Sequence, residues 1–293
     1  MTHADDDAGR SRSLAALRAE FGDGPLFPRL EGDVIEVDGV TFRCGYEERS
    51  TADDFVIVKV PAHVAALREM ARAHRGAAIV ELGIAEGGST ALLALEAAPR
   101  RLVAVDLEAE RLEALDRFIA DRGLGGSVSA HYGVDQADRA QLGSLVDGQL
   151  DGAPIDLVID DASHQLDPTR TSFEVLFPRL RPGGLYAIED WSADHTFRDA
   201  VVASFREASD EQKAELAAAL TKAASDPAPA APKRPLTDLA VELVLARATF
   251  ESQIVAEVIV SEFWLMARRG PAELPRDGWT LGSAFDDHFG YLR

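Results

Sequence analysis

Cysteine is all but missing from this chain: Cys44 stands alone among 293 residues, which excludes an intramolecular disulfide and any thiolate metal cluster. With no helix start to activate it, Cys44 reads as a buried small side chain rather than a nucleophile, and the cytoplasm is the default compartment for such a chain. Basic residues are scarce as well, 30 Lys and Arg against 50 Asp and Glu. That balance argues against non-specific attraction to nucleic acid or to an anionic membrane surface. No apolar run reaches membrane-spanning length and no internal repeat is present. Met1–Arg12, with consecutive acids Asp5 to Asp7 and no apolar stretch, lacks the pattern of a signal peptide or a membrane anchor and reads as a disordered tail. What is there is 46% apolar, enough to bury one α/β core with additions.

From Ala77 onward, short apolar runs alternate with helical patterns, which predicts parallel strands joined by crossover helices. Strands are expected at Ala77–Leu82, Arg101–Asp106, Val128–Tyr132, Ile155–Asp160 and Leu185–Glu189. Between them the clearest helix is Glu108–Arg122, where Leu112, Leu115, Phe118 and Ile119 recur at helical spacing. Upstream, Asp33–Arg43 alternates around an Asp38-Gly39 turn signal and predicts a small hairpin, followed by a helix from Pro61 to Arg75. Downstream, Phe197–Ala224 reads as helical, Asp226–Pro235 as a Pro/Ala-rich loop and Leu236–Thr249 as a helix. Ile254–Val260 and Phe263–Ala267, separated by Ser261-Glu262, have the composition of an antiparallel hairpin at the sheet edge. The fold class is therefore a doubly wound, mostly parallel α/β sheet. In such sheets ligands bind at the carboxyl ends of the strands.

The first strand opens into Glu81-Leu82-Gly83-Ile84-Ala85-Glu86-Gly87-Gly88-Ser89-Thr90, a glycine-rich turn that lets backbone approach a ligand closely. Alanine at position 85 stands where the dinucleotide fingerprint needs its second glycine, so a nicotinamide cofactor is disfavoured. A carboxylate at Glu81 or Glu86 instead suits a ligand carrying an ammonium and a sulfonium. Asp106 ends the second strand, where a carboxylate can accept from both hydroxyls of a ribose or serve as an ordinary helix cap. Asp135-Gln136, after the third strand, could meet an adenine or cap the helix beginning near Ala137.

Strand four ends in Ile159-Asp160-Asp161-Ala162-Ser163-His164 and strand five in Ile188-Glu189-Asp190-Trp191. Acids crowded at neighbouring strand ends repel unless some bind protons or a cation intervenes, and all-oxygen ligation selects a hard ion such as Mg²⁺. The competing view is that these acids only cap the helices that follow. His164, three residues past Asp161, is placed to take a substrate proton, with His195 as the competing base. His3, His63, His74, His131 and His288 have no comparable company in the sequence.

On these residues the chain resembles the metal-dependent O-methyltransferases of natural-product sugars, a class of S-adenosylmethionine-dependent enzymes. The resemblance is carried by Glu81-x-Gly83-x-x-x-Gly87-Gly88-Ser89, Asp160-Asp161-Ala162-Ser163-His164, Phe173-Glu174-x-Leu176-Phe177 and Gly183-Gly184-Leu185-Tyr186-x-Ile188-Glu189-Asp190, and covers Ala77 to Trp191. It implies magnesium ligands at Asp161, Glu189 and Asp190, with His164 as the base. The S-adenosylmethionine site is expected from Glu81, Gly83, Ser89, Asp106, Asp135, Gln136 and Asp160. Ala162 replaces the usual glycine, and the N-terminal segment carries no matching motif.

The expected organisation is a tail and small hairpin over 1–60, a methyltransferase core over 61–270 with a helical insertion at 197–235, and a tail over 271–293. The partner expected is a small-molecule acceptor, a glycoside or a diol, with no nucleic acid, no membrane and a homo-oligomer as a further option. Rival readings are a hydroxylase-associated or other non-methylating enzyme on the same fold, a cofactor-binding subunit without turnover and, third, a nicotinamide dehydrogenase.

Overall fold

The Asp38-Gly39 dipeptide does turn the chain. In the computed structural model, which describes residues 34–45, 49–193, 195, 234–249 and 253–285, Asp38 and Gly39 adopt φ of 51° and 77° between β1 (Val34–Val37) and β2 (Val40–Cys44). Positive φ at both central residues matches the right-handed twist of the strands, which explains why the hairpin closes there. A third strand, β3 (Asp54–Ile57), was not expected from the sequence and lies parallel to β2, Phe42 opposite Phe55. Its short apolar run has no alternation to mark it. The helical reading of Phe197–Ala224, nearly all of the Asp226–Pro235 loop and the Met1–Arg12 tail lie outside the described residues.

The main sheet has seven strands in the order β6-β5-β4-β7-β8-β10-β9. These are β4 (Ala78–Leu82), β5 (Arg101–Asp106), β6 (Val128–Tyr132), β7 (Ile155–Asp160), β8 (Leu180–Glu189), β9 (Val255–Val260) and β10 (Trp264–Arg269). The first five run parallel, and β10 joins β8 and β9 antiparallel, the edge hairpin that the sequence predicts. The fold is thus a doubly wound, mostly parallel α/β sheet. β8 begins at Leu180, five residues before the expected start, and its register against β7 shifts between Ile155 and Leu157. Arg181, Pro182 and the following glycines hid that half of the strand from hydropathy.

Alternate strand residues feed two cores. Val80, Leu82, Val103, Val105 and Val158 pack with α4 (Arg139–Gln149), α5 (Leu166–Leu176) and α6 (Thr237–Ala248). Ile79, Leu102, Ala104, Leu157 and Ile159 pack with α1 (Pro61–Ala73), α2 (Gly88–Ala97) and α3 (Glu113–Asp121). Both faces of the sheet are therefore covered, which is why its strands read as continuous apolar runs. Phe42, Phe55 and Ile57 of the small sheet share the second core. Trp279, Leu281 and Ala284 complete the first.

The helix expected at Glu108–Arg122 starts only at Glu113. The Asp106 carboxylate accepts from the Glu108 amide at 2.8 Å, and the Glu108 carbonyl accepts from Gly133. Local side-chain bonding of this kind competes with the first helical turn. No helix among the described residues is long and apolar enough to cross a membrane. The strand order reverses between β4 and β7, so the loops after these strands face each other.

Candidate active site

The glycine-rich turn after β4 is built around close backbone approach. Gly83 has φ of 94°, and a Cβ there would stand 2.2 Å from the Asp161 carbonyl oxygen, so only glycine lets the β4 and β7 loops meet. A Cβ on Gly88 would stand 2.3 Å from the Val56 carbonyl oxygen, so glycine also admits β3 against the start of α2. Ala85, His164 and Asp190 all hold left-handed backbone without being glycine, with φ of 48°, 52° and 52°. Such conformations cost about 1–3 kcal/mol each and collect at functional sites. At Asp190 the sheet enforces it, because the Asp190 amide donates to Phe263 at 2.9 Å just beyond the last β8–β10 pair.

Asp106 holds the glycine turn itself. Its Oδ2 accepts from the Ile84 and Ala85 amides at 2.7 and 3.0 Å, while Oδ1 takes Glu108. Two residues on, Glu108 Oε1 is a buried acceptor with no hydrogen-bond partner among the described residues. An unmet buried acceptor beside a strand-end carboxylate fits the hydroxyl donors of a ribose. Glu81 is buried and accepts from Thr90 Oγ1 at 2.6 Å. Burial pushes its carboxyl up to about 7, against the hydrogen bonds from Ser89 and Thr90. Glu86, the other acid of the turn, is paired with Arg49 at 2.7 Å, so its charge is already countered. Between the turn and Val56–Lys59 there is a cavity of about 10 Å³, room for about one water.

Asp160 and Gln136 are held by neighbouring residues. Asp160 is 2% exposed, and its Oδ2 accepts from Tyr186 Oη at 2.7 Å and Ser172 Oγ at 2.8 Å. Burial raises its carboxyl to about 6 despite those two donors. Gln136 accepts from the Ser163 amide at 3.0 Å and donates to Ser172 at 3.2 Å. Both therefore brace the loop after β7 from within, next to the strand ends where the cofactor is expected. The reason is directional: these side chains project to the core that holds Tyr186 and Phe173. Asp135 accepts from the Ala137 amide at 2.8 Å, the capping alternative, although α4 starts later, under Asp138.

The acids and the histidine after β7 and β8 do converge. Ligand atoms of Asp161, His164 and Asp190 lie within 4.8 Å of one another, with His164 Nε2 3.7 Å from Asp161 Oδ1. His195 is not with them; it is exposed and bonds Thr237 on α6 at 3.1 Å. Glu189 is 1% exposed and is held by two residues that the sequence did not single out. His63 Nδ1 lies 2.6 Å from Glu189 Oε1, and the Lys59 ammonium donates to Glu189 Oε2 and Asp161 Oδ2. His63, set aside as lacking company, also packs its ring 4.0 Å from that of Phe263. Burial alone would lower the Lys59 pKa, but Asp161 and Glu189 outweigh it and hold the ammonium protonated. The one available signal was position: Lys59 and His63 flank the Pro61 that starts α1.

The comparisons agree with this architecture. A family described as a methyltransferase domain matches residues 80–191. The matched residues span β4 to β8 and contain the glycine turn, Asp106, Asp161, His164, Glu189 and Asp190. The chain is 34% identical over 187 residues to the 8-demethyl-8-alpha-L-rhamnosyl tetracenomycin-C 2'-O-methyltransferase of Streptomyces olivaceus, covering 59% of this chain and 44% of that protein. It is 42% identical over 78 residues to the mycinamicin VI 2''-O-methyltransferase of Micromonospora griseorubida, covering 21% and 20%. The chain thus spans less than half the length of either relative. Among solved structures, the O-methyltransferase TomG from Streptomyces achromogenes in complex with SAM is 19% identical with a TM-score of 0.47, covering 73% of this chain and 82% of that one.

If the glycine turn holds S-adenosylmethionine or S-adenosylhomocysteine, removing the Asp106 carboxylate is expected to weaken that binding at least about tenfold, because it takes two charge-assisted hydrogen bonds from the turn and a third from Glu108. Calorimetry on Asp106→Ala without added metal checks this, and an unchanged affinity would remove Asp106 from the cofactor pocket.

Proposed function

We propose that this chain is an S-adenosylmethionine-dependent, magnesium-dependent O-methyltransferase acting on a hydroxyl of a sugar or another natural-product intermediate. The observation that carries the reading is the meeting of Asp161, His164 and Asp190 within 4.8 Å at the ends of β7 and β8, beside the glycine turn after β4. The donor set suits a hard cation, with oxygen ligands from Asp161 and Asp190 and Glu189 next to them. In this reading the glycine turn, Glu81 and Asp106 hold the cofactor, and Glu108 Oε1 offers the acceptor that a ribose hydroxyl needs. Two of the relatives, both named as methyltransferases of glycosides, point the same way.

The chemical difficulty is the nucleophile, because an alcohol is barely ionised at neutral pH. Magnesium, held by Asp161, Glu189 and Asp190, would supply Lewis acidity at the acceptor hydroxyl, and S-adenosylmethionine, held by the glycine turn, Glu81 and Asp106, would supply the methyl group and leave as the thioether. His164 is placed to remove the hydroxyl proton, and its partly exposed ring, 31% accessible, lets that proton leave to solvent. Asp160, Ser172 and Gln136 contribute rigidity, holding the loop that carries Asp161 and His164.

The acceptor is proposed to carry two neighbouring oxygens, as in a vicinal diol of a sugar, because two adjacent oxygens can share one cation and be oriented by it. Comparing a glycoside with its mono-deoxy analogue tests this. Loss of the unmethylated neighbouring hydroxyl is expected to lower kcat/KM at least about tenfold. Turnover intact in the analogue would exclude bidentate binding, and a hydroxylated product by mass would favour the rival chemistry on the same fold.

A further inference from the structure

The site contains a cation that the mechanism does not use. Lys59 joins β3 to α1, is 4% exposed, and places its ammonium between Asp161 Oδ2 and Glu189 Oε2. These are two of the three carboxylates assigned to magnesium. Glu189 has no oxygen left over, since Oε1 is on His63. Asp161 Oδ1, by contrast, faces His164, and Asp190 is 43% exposed, with the His63 ring at 3.8 Å and Asp161 and His164 beside it. The acidic cluster is thus divided into an inner half bonded to Lys59 and His63 and an outer half open to solvent.

We propose that Lys59 is the resident counter-ion of this cluster and that a divalent cation engages Asp161 and Glu189 only by displacing its ammonium, so that Lys59 keeps metal affinity low and the metal exchangeable. This rests on the magnesium reading above. An ammonium and a divalent ion that share carboxylate oxygens repel at contact distance, and the site is dry enough for that repulsion to be felt. Removing the lysine leaves buried Glu189 beside partly buried Asp161, and a divalent ion relieves their mutual repulsion, so the variant should bind metal more tightly. Lys59 therefore acts through these two carboxylates, as a competitor of the ion for their oxygens.

The test uses the full chain and Mn²⁺ alone, with free ion counted by electron paramagnetic resonance. Lys59→Met is expected to tighten Mn²⁺ binding at least about tenfold, since a charge within about 4–6 Å shifts such equilibria by about one to three decades. Lys59→Arg, which keeps the charge, should stay nearer the wild type. A lysine that merely supports the fold does not give tighter metal binding on removal, so unchanged or weaker affinity in Lys59→Met overturns the proposal. A measurement on unmodified protein covers a variant that fails to fold: reductive methylation of Lys59, mapped by mass spectrometry, should rise with saturating Mg²⁺, and no rise overturns it. If Asp190→Asn abolishes Mn²⁺ binding while Lys59→Met changes nothing, only the Lys59 inference fails. If neither wild type nor Lys59→Met binds Mn²⁺, both readings fall.

Discussion

Excess chelator is expected to abolish methyl transfer and added Mg²⁺ to restore it, with Asp161→Ala and Asp190→Ala beyond rescue at ordinary magnesium concentrations. Loss of partners that only orient metal ligands costs about 10–100-fold, so loss of a ligand itself should cost at least about a hundredfold. Asp190 is the cleaner probe. It is on the open side of the cluster, does not pair with Lys59 and meets the buried network only at the His63 ring, 3.8 Å away, so its removal leaves few unpaired charges behind. Asp161→Ala also leaves Lys59 with Glu189 alone, and part of its effect will be on stability, because breaking a buried pair costs up to about 3–5 kcal/mol. Thermal unfolding of both variants separates the two contributions. Full turnover in excess chelator would leave the acids as helix caps and sink the metal reading.

His164→Ala is expected to lose about a hundredfold to ten-thousandfold in kcat while keeping cofactor affinity, the range for removal of a general base. His195→Ala should lose less than about threefold, because its ring bonds Thr237 and is not grouped with the acids. The geometry also allows His164 to be a ligand, since it lies within 4.8 Å of the atoms that would hold the ion. Mn²⁺ affinity measured on the same variant distinguishes these roles. Activity lost with metal affinity retained marks the base; both lost together mark a ligand, and the proton must then go elsewhere. A loss below threefold in kcat would exclude either role.

Much of the fold was legible because each strand of a doubly covered sheet must be apolar on both faces, and such runs stand out between helical periodicities. Arg101–Asp106, Val128–Tyr132 and Ile155–Asp160 fall where the hydropathy puts them. The misses have local causes. The strand β3 is too short to show a period. The start of β8 is masked by Arg181, Pro182 and glycines, and the expected first turn of α3 is lost to the Asp106 carboxylate.

By itself the sequence determined the chain of elements, the glycine turn and which strand ends carry acids, since these depend on residue type and near neighbours. It also determined that Asp161, His164 and Asp190 had to come close, because β7 and β8 are adjacent parallel strands whose loops leave on the same side. Which way each carboxylate points was decided only in three dimensions. Asp160 and Asp161 are neighbours in the chain, yet one is spent on Tyr186 and Ser172 in the core and the other meets Lys59, because successive strand residues face opposite sides. Glu189 and Asp190 divide in the same way, and the partners of Glu189 come from 126 and 130 positions upstream. No spacing rule connects positions so far apart; only the packing of α1 against the sheet brings Lys59 and His63 to the acids.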